Sequence, residues 1–77
     1  MFRTLVKTEH VAIDDRLYPV RYFEVRTLRG IRRYSAEILI GPDDHIILDD
    51  DSMTTLEARA TRLVPATLYS RKLTRIA

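Results

Sequence analysis

The stretch VRYFEVRTLRGIRRYSAEILI, residues 20–40, decides the fold of this chain. Residues 20–28 and residues 31–40 are both rich in β-branched and aromatic side chains, which favour extended strands. The dipeptide Arg29-Gly30 separates the two runs and supplies a turn signal. The sequence therefore predicts an antiparallel hairpin near the centre of the chain.

The length of the turn decides which face of this hairpin is apolar. A two-residue turn pairs Leu28 with Ile31, whereas a slip of one residue would place Val25 opposite Arg33. The hydrophobic pattern favours the first register, although Arg-Gly is not a preferred two-residue turn and a glycine bulge is an alternative. The expected core face then carries Phe23, Val25, Tyr34, Ala36 and Ile38. The expected wet face carries Val20, Tyr22, Glu24, Arg26, Arg33, Glu37 and Leu39.

Turn signals and short apolar runs extend the hairpin into a larger sheet. Gly41-Pro42-Asp43-Asp44 predicts a tight turn, and residues 45–48 predict a short strand that returns along residues 38–40. Residues 2–13 contain enough β-prone side chains for another strand, and Asp14-Asp15 begins the connection that follows it. We expect an antiparallel meander of three or four strands within residues 2–48, although a rearranged strand order would give the same periodicity.

A helix is predicted after the sheet. Thr54 and Glu57 match the T-x-x-E capping box, with Ser52 or Asp51 as alternative caps. At roughly 100° per residue, the residues that follow form one apolar face of a helix. That face, which is typical of a helix lying on a sheet, comprises Leu56, Ala60, Leu63 and Val64.

Pro65 divides the helical region into halves with different apolar faces. An interior proline costs about 3 kcal/mol, so we expect the helix to break or kink at Pro65; the alternative is a continuous helix whose second stripe meets another surface. The expected fold class is therefore α+β, with a three- to four-stranded antiparallel meander and a C-terminal helical region of residues 54–76, in one domain of residues 1–77. The second stripe, nearly opposite the first, comprises Ala66, Leu68, Tyr69, Leu73 and Ile76.

The composition narrows the function classes. The chain has 77 residues, a formal net charge of +2 and no cysteine, which excludes a disulfide framework and a thiolate zinc site. No apolar run approaches the ~18 residues of a membrane span, and no signal peptide is evident, so we expect a cytoplasmic protein. Glycine loops for phosphate and Ser-His-acid or zinc-protease spacings are also missing. We therefore expect no enzymatic activity and no cofactor.

The second apolar stripe suggests a binding or assembly role. A chain this small buries a limited core, which raises the value of oligomerisation, and monomers rarely leave such a patch uncovered. We expect a non-enzymatic module that contacts a protein partner or forms a homodimer. The expected interface residues are Leu68, Tyr69, Leu73 and Ile76.

Nucleic-acid binding through the hairpin is the alternative function. Four arginines fall within eight residues that contain no acid, flanked by Tyr22 and Tyr34. Arginine grips phosphates and exposed tyrosine stacks on bases. The residues concerned are Arg26, Arg29, Arg32 and Arg33.

A divalent-metal site is a remote alternative. His45, Asp49 and Asp51 would lie on one side if strand alternation continued from His45, and imidazole with carboxylate can hold such a cation. The contiguous Asp49-Asp50-Asp51 run lacks the ligand pattern and central glycine of an EF-hand loop. Leading into the following helix is the favoured interpretation of this run.

Overall fold

Four strands and one helix form the structure, a computed structural model that describes the backbone of residues 2–76 and the side chains of residues 3–73. The sheet is antiparallel throughout and has the strand order β1-β2-β3-β4. The α+β class and the meander followed by a C-terminal helix are therefore confirmed. The elements are β1 (Phe2–Ile13), β2 (Arg16–Arg26), β3 (Arg32–Gly41), β4 (Asp44–Asp50) and α1 (Met53–Ile76).

Short turns bring each strand beside its neighbour in sequence. Asp14 and Asp15 join β1 to β2 with positive φ angles of 49° and 66°, as in a type I′ hairpin turn. Aspartate is one of the few residues other than glycine that enters this backbone region routinely. At the end of β3, Gly41 pairs with Asp44 around a two-residue turn. Neither turn is long enough to cross another strand, so a meander results.

The central hairpin has the register that the hydrophobic pattern disfavoured. Val25 pairs with Arg33, not with Tyr34, so the expected register is wrong by one residue. The loop has three residues, because the Gly30 amide donates to the Thr27 carbonyl at 2.9 Å and the Thr27 amide to the Ile31 carbonyl at 3.0 Å. Gly30 has φ +80°, the geometry of a type I turn followed by a glycine bulge. The third loop residue accounts for the shift.

The register exchanges the two faces of β2. Val20 and Tyr22, which were expected on the wet face, are 0% and 1% exposed. Phe23 and Val25 lie on the opposite face, because successive side chains of a strand alternate. Helix α1 covers the first face and packs mainly on β3 and β4. The buried core comprises Val20, Tyr22, Ala36, Ile38, Leu56, Ala60 and Val64.

Ser52 caps the start of α1. Its Oγ accepts a hydrogen bond from the Thr55 amide at 3.3 Å, and its carbonyl accepts the first helical bond from Leu56 at 3.0 Å. The capping box at Thr54 and Glu57 is therefore wrong, and the alternative cap is the one used. Thr54 already lies inside the helix, so its side chain comes too late to satisfy the first free amides.

Pro65 lies inside α1, which continues to Ile76. The expected break is wrong, and a kink is not shown. The packed face of the helix extends past the proline through Thr67, which is 8% exposed, and Leu68, which packs against the core. We attribute the continuity to this packing, which offsets the hydrogen bond that proline cannot donate to the Thr61 carbonyl.

Candidate interaction surfaces

No helix covers the second face of the sheet, called here the open face, within the described residues. Cross-strand partners share a face, so the register places Leu5, Phe23, Ser35 and Asp49 in one row across all four strands. A second row contains Thr8, Arg21, Glu37 and Ile47. Large apolar side chains are exposed on this face, with Leu5 at 54%, Leu17 at 66% and Ile47 at 55%.

Charged side chains cross the middle of the open face. The Arg3 guanidinium lies 3.6 Å from the centroid of the Phe23 ring, and its Nη2 lies 3.2 Å from Glu37 Oε2. Arg21 Nη1 lies 3.7 Å from the other oxygen of Glu37. This face therefore combines apolar side chains with charges of both signs, an arrangement that can bind protein.

The open face is not evident from the sequence, because the hydrophobic pattern favours the other register. With a two-residue turn, Phe23 and Val25 belong to the core, and the far side of the sheet becomes a wet face on which Val20, Tyr22 and Leu39 stand among charged side chains. The only signal against that interpretation is the unfavourable Arg-Gly turn. In a three-residue loop, Gly30 instead occupies the bulge position that glycine prefers.

The structure divides the four residues expected to form the helix interface. Leu68 packs against the core of its own chain. Tyr69 and Leu73 are exposed, at 66% and 52%, whereas the side chain of Ile76 lies outside the described residues. The nearby Arg71 is fixed to the start of β4, because its Nε and Nη2 donate to the two carboxylate oxygens of Asp44 at 2.8 and 3.1 Å. This ion pair raises the pKa of Arg71.

The four arginines of the hairpin divide into two pairs. Arg26 and Arg32 are cross-strand partners, and both contact Glu24 Oε1, at 3.5 and 3.1 Å. Arg29 and Arg33 are exposed and form no ion pair within the described part of the chain. The expected wet face joined Arg26 to Arg33, and this grouping is wrong, because the observed register pairs Arg26 with Arg32 and places Arg33 on the opposite face.

The tyrosines beside these arginines are not free to stack on bases. Tyr22 is 1% exposed, and burial, followed by the nearby Glu9 and Glu57 carboxylates, raises the pKa of its hydroxyl. Tyr34 packs against the core. The arginines therefore lack the flanking aromatic platform that the nucleic-acid hypothesis assumed.

Lys7 connects β1 to the helix. Its Nζ lies 2.7 Å from Glu57 and 2.8 Å from Glu9, and these two hydrogen-bonded carboxylates raise the lysine pKa, Glu57 most strongly. Glu57 is thus used for a tertiary ion pair and not for capping. Because both carboxylates accept from one lysine, the cluster is best explained as a structural link.

The residues considered for metal binding do not form a site. Within the described range, no group of three or more His, Asp or Glu side chains is placed to hold a metal ion. His45 and Asp49 are four residues apart on β4, roughly 13 Å at 3.3 Å per residue. Asp50, between Asp49 and Asp51, instead accepts from the Ser52 amide at 2.9 Å. The run leads into the helix, as the favoured interpretation held.

A surface depression at one end of the sheet was considered as a site for acid–base chemistry. A cavity of about 380 Å³ lies at the end of the open face, lined by Leu17, Pro19 and Leu39, with Arg16 and Tyr18 as its ionisable neighbours. No carboxylate or imidazole lines this cavity among residues 3–73. Its apolar lining makes it a continuation of the open face.

The chain matches no known family model, no curated protein and no solved structure. Across the described residues, no helix combines the length and the apolar character needed to span a membrane.

Proposed function

We propose that this protein is a non-enzymatic assembly module that forms a homodimer through its open face. The observation that carries the proposal is the uncovered side of the sheet, where Leu5, Leu17 and Ile47 are each more than half exposed. Exposed apolar side chains collected on one face are typical of an interaction site.

The size of the open face suits a second copy of the chain. Strands about 4.8 Å apart and about ten residues long give four strands a face of roughly 600 Å². That area, with a polar rim added, approaches the ~800 Å² per partner of a standard interface. A small chain also gains more from such burial than a large one, because its own core is limited.

The charges of the open face support pairing with itself. An isologous dimer places the same patch on both sides of a two-fold axis, so a face of one sign would repel its copy. Here Arg3 and Arg21 stand beside Glu37, and Asp49 lies in the row next to that of Arg33. Two copies related by a two-fold axis can therefore oppose unlike charges.

The C-terminal helix offers a second candidate surface for protein contact. Tyr69 and Leu73 are exposed on the side of α1 away from the sheet. This surface has fewer apolar side chains than the sequence indicated, because Leu68 packs against the core. When the open face is buried in the homodimer, these two side chains are the apolar contacts left for another protein partner.

Sedimentation equilibrium of the purified chain over a wide concentration range tests the dimer. We expect a reversible dimer, and we expect Leu5→Glu and Ile47→Glu each to weaken it about tenfold or more, because each removes a buried apolar side chain. Leu28→Ser, at the exposed hairpin loop, is the matched control and should leave the dimer intact. Circular dichroism should show that all three variants are folded.

Two results would contradict this proposal. A wild-type chain that stays monomeric at every concentration would exclude the homodimer. A dimer that Leu73→Asp dissociates, while Leu5→Glu and Ile47→Glu do not, would place the interface on the C-terminal helix. We expect Leu68→Asp to unfold the chain, because Leu68 is a core contact, and it therefore serves as a control for loss of fold.

A further inference from the structure

We propose that the β2–β3 hairpin tip, comprising residues 26–33, inserts its apolar residues into an anionic lipid surface. The tip is a different part of the molecule from the open face proposed for the dimer. Leu28, at 95% exposure, is the most exposed large apolar side chain among residues 3–73, and the nearby Ile31 is 56% exposed. The four arginines of the tip lie close to both residues in the sequence.

The tip is held in one conformation by its own hydrogen bonds. The Gly30 amide donates to the Thr27 carbonyl at 2.9 Å, and the Thr27 amide donates to the Ile31 carbonyl at 3.0 Å. The Ile31 amide donates to Thr27 Oγ1 at 3.1 Å. Leu28 is thus presented at the turn of an ordered loop, and insertion would require little additional ordering of the chain.

The charge of the tip matches anionic headgroups. Arg26 and Arg32 share Glu24, whereas Arg29 and Arg33 form no ion pair within residues 3–73, with the exposed Asp49 one row behind Arg33. On the adjacent strand, Asp50 is bonded to Arg59 at 3.1 Å and lies opposite Tyr34, behind the tip. Basic side chains next to an anionic leaflet attract it over about a Debye length.

A lipid surface fits the tip better than a nucleic acid does. Both carry phosphates that arginine can bind. A membrane interface also rewards the insertion of leucine and isoleucine, whereas single-stranded nucleic acid rewards aromatic stacking. Tyr22 is buried and Tyr34 packs on the core, so the exposed groups of the tip are aliphatic and cationic.

The acidic turns at the far end of the molecule disfavour the opposite orientation on an anionic surface. The structure is 46 Å long and 23 Å by 21 Å in cross-section, and the strands run along the long axis. The meander places the β2–β3 loop at one end and the other two turns at the opposite end. Those turns carry Asp14, Asp15 and Asp43, which are exposed and would be repelled by the same surface.

Co-sedimentation with vesicles tests this proposal on the full chain. We expect binding to vesicles of phosphatidylcholine mixed with phosphatidylserine, weak binding to phosphatidylcholine alone, and a decrease with added salt. Leu28→Ser should weaken binding about tenfold or more, and Arg29→Gln about fivefold. Leu73→Ser is the matched control, because Leu73 is 52% exposed, lies outside the open face, and is close to Arg71, which bonds Asp44 at the end of the sheet opposite the tip.

Several results would overturn the proposal. Equal binding to the two vesicle compositions would exclude recognition of anionic lipid, and equal weakening by Leu73→Ser and Leu28→Ser would exclude the tip as the site. Binding that Arg29→Gln weakens and Leu28→Ser does not would exclude insertion. Binding to a mixed-sequence oligonucleotide that competes with vesicles and is unaffected by Leu28→Ser would identify nucleic acid as the ligand. If the protein proves to be a monomer, the vesicle experiment can still be interpreted, because Leu28 lies outside the open face.

Discussion

Ser52 caps the start of α1, because its Oγ accepts a hydrogen bond from the Thr55 amide. We expect Ser52→Ala to lower the free energy of unfolding by about 1 kcal/mol, the usual value of a helix N-cap. Thr54→Ala is the matched control and should change it much less, because Thr54 is exposed within the first turn. Chemical denaturation measures both, and a larger loss for Thr54→Ala would contradict the assigned cap.

Asp50 should make stability depend on pH in the acidic range. The Ser52 amide, followed by Arg59, holds the pKa of this carboxyl below its usual value. A lowered carboxyl pKa stabilises the fold above the unfolded pKa, about 3.9, and this contribution is lost as the pH falls through the folded pKa. We therefore expect Asp50→Asn to destabilise the chain at neutral pH, with the difference from wild type shrinking below about pH 4.

Thermal unfolding from neutral to strongly acidic pH measures this difference. Arg59→Gln should reduce the pH dependence without abolishing it, because the bond from the Ser52 amide at 2.9 Å remains. A difference between wild type and Asp50→Asn that is the same at neutral and strongly acidic pH would show that the aspartate charge contributes nothing.

At the scale of elements, α1 contains a proline, Pro65, whose side chain contributes little to packing. Pro65 is exposed, so replacing its side chain removes little packing, whereas alanine restores the amide that the Thr61 carbonyl lacks. We expect Pro65→Ala to raise the free energy of unfolding by about 2–3 kcal/mol. Arg62→Ala, also on the exposed side of α1, should change it by only a few tenths of a kcal/mol. An unchanged free energy of unfolding for Pro65→Ala would mean that the hydrogen bond missing at the Thr61 carbonyl does not destabilise the helix.

The type of each element and its position along the chain could be predicted from local patterns, because each strand and turn carries its own signal, whereas the strand order in the sheet was left open. The register could not, since it depends on whether the central loop has two or three residues, and the pattern of apolar side chains favoured two. Tyr22 shows why the pattern misled. Its large ring fits a core as well as Phe23 does, and sequence alone does not say which of the two is covered by a helix.

The continuity of α1 was unpredictable for a related reason. The local penalty at Pro65 is visible in the sequence, but the packing of Thr67 and Leu68 against the sheet is a tertiary contribution. The same packing removed Leu68 from the expected interface, while Tyr69 and Leu73 stayed exposed. The arginines of the hairpin were found from composition, but their pairing through Glu24 required the register.

At the scale of the whole molecule, stability and assembly should be linked. Burial of the open face in a dimer stabilises the folded chain by mass action. We therefore expect the melting temperature of the wild type to rise with protein concentration and that of Ile47→Glu to be less dependent on it. Calorimetry at several concentrations measures both. A wild-type melting temperature independent of concentration would contradict a dimer that is coupled to folding.

The three-residue loop of the central hairpin also constrains how the length of this chain can vary. Inserting or deleting one residue at residues 28–30 would have to be absorbed by another bulge or would exchange inward and outward side chains along a strand. Tyr22 would then leave the core, and Phe23 would enter it. We expect insertions or deletions of two residues in this loop to be tolerated, because the same side chains then face the core. A change of one residue would instead turn the core side chains of a strand to the other face.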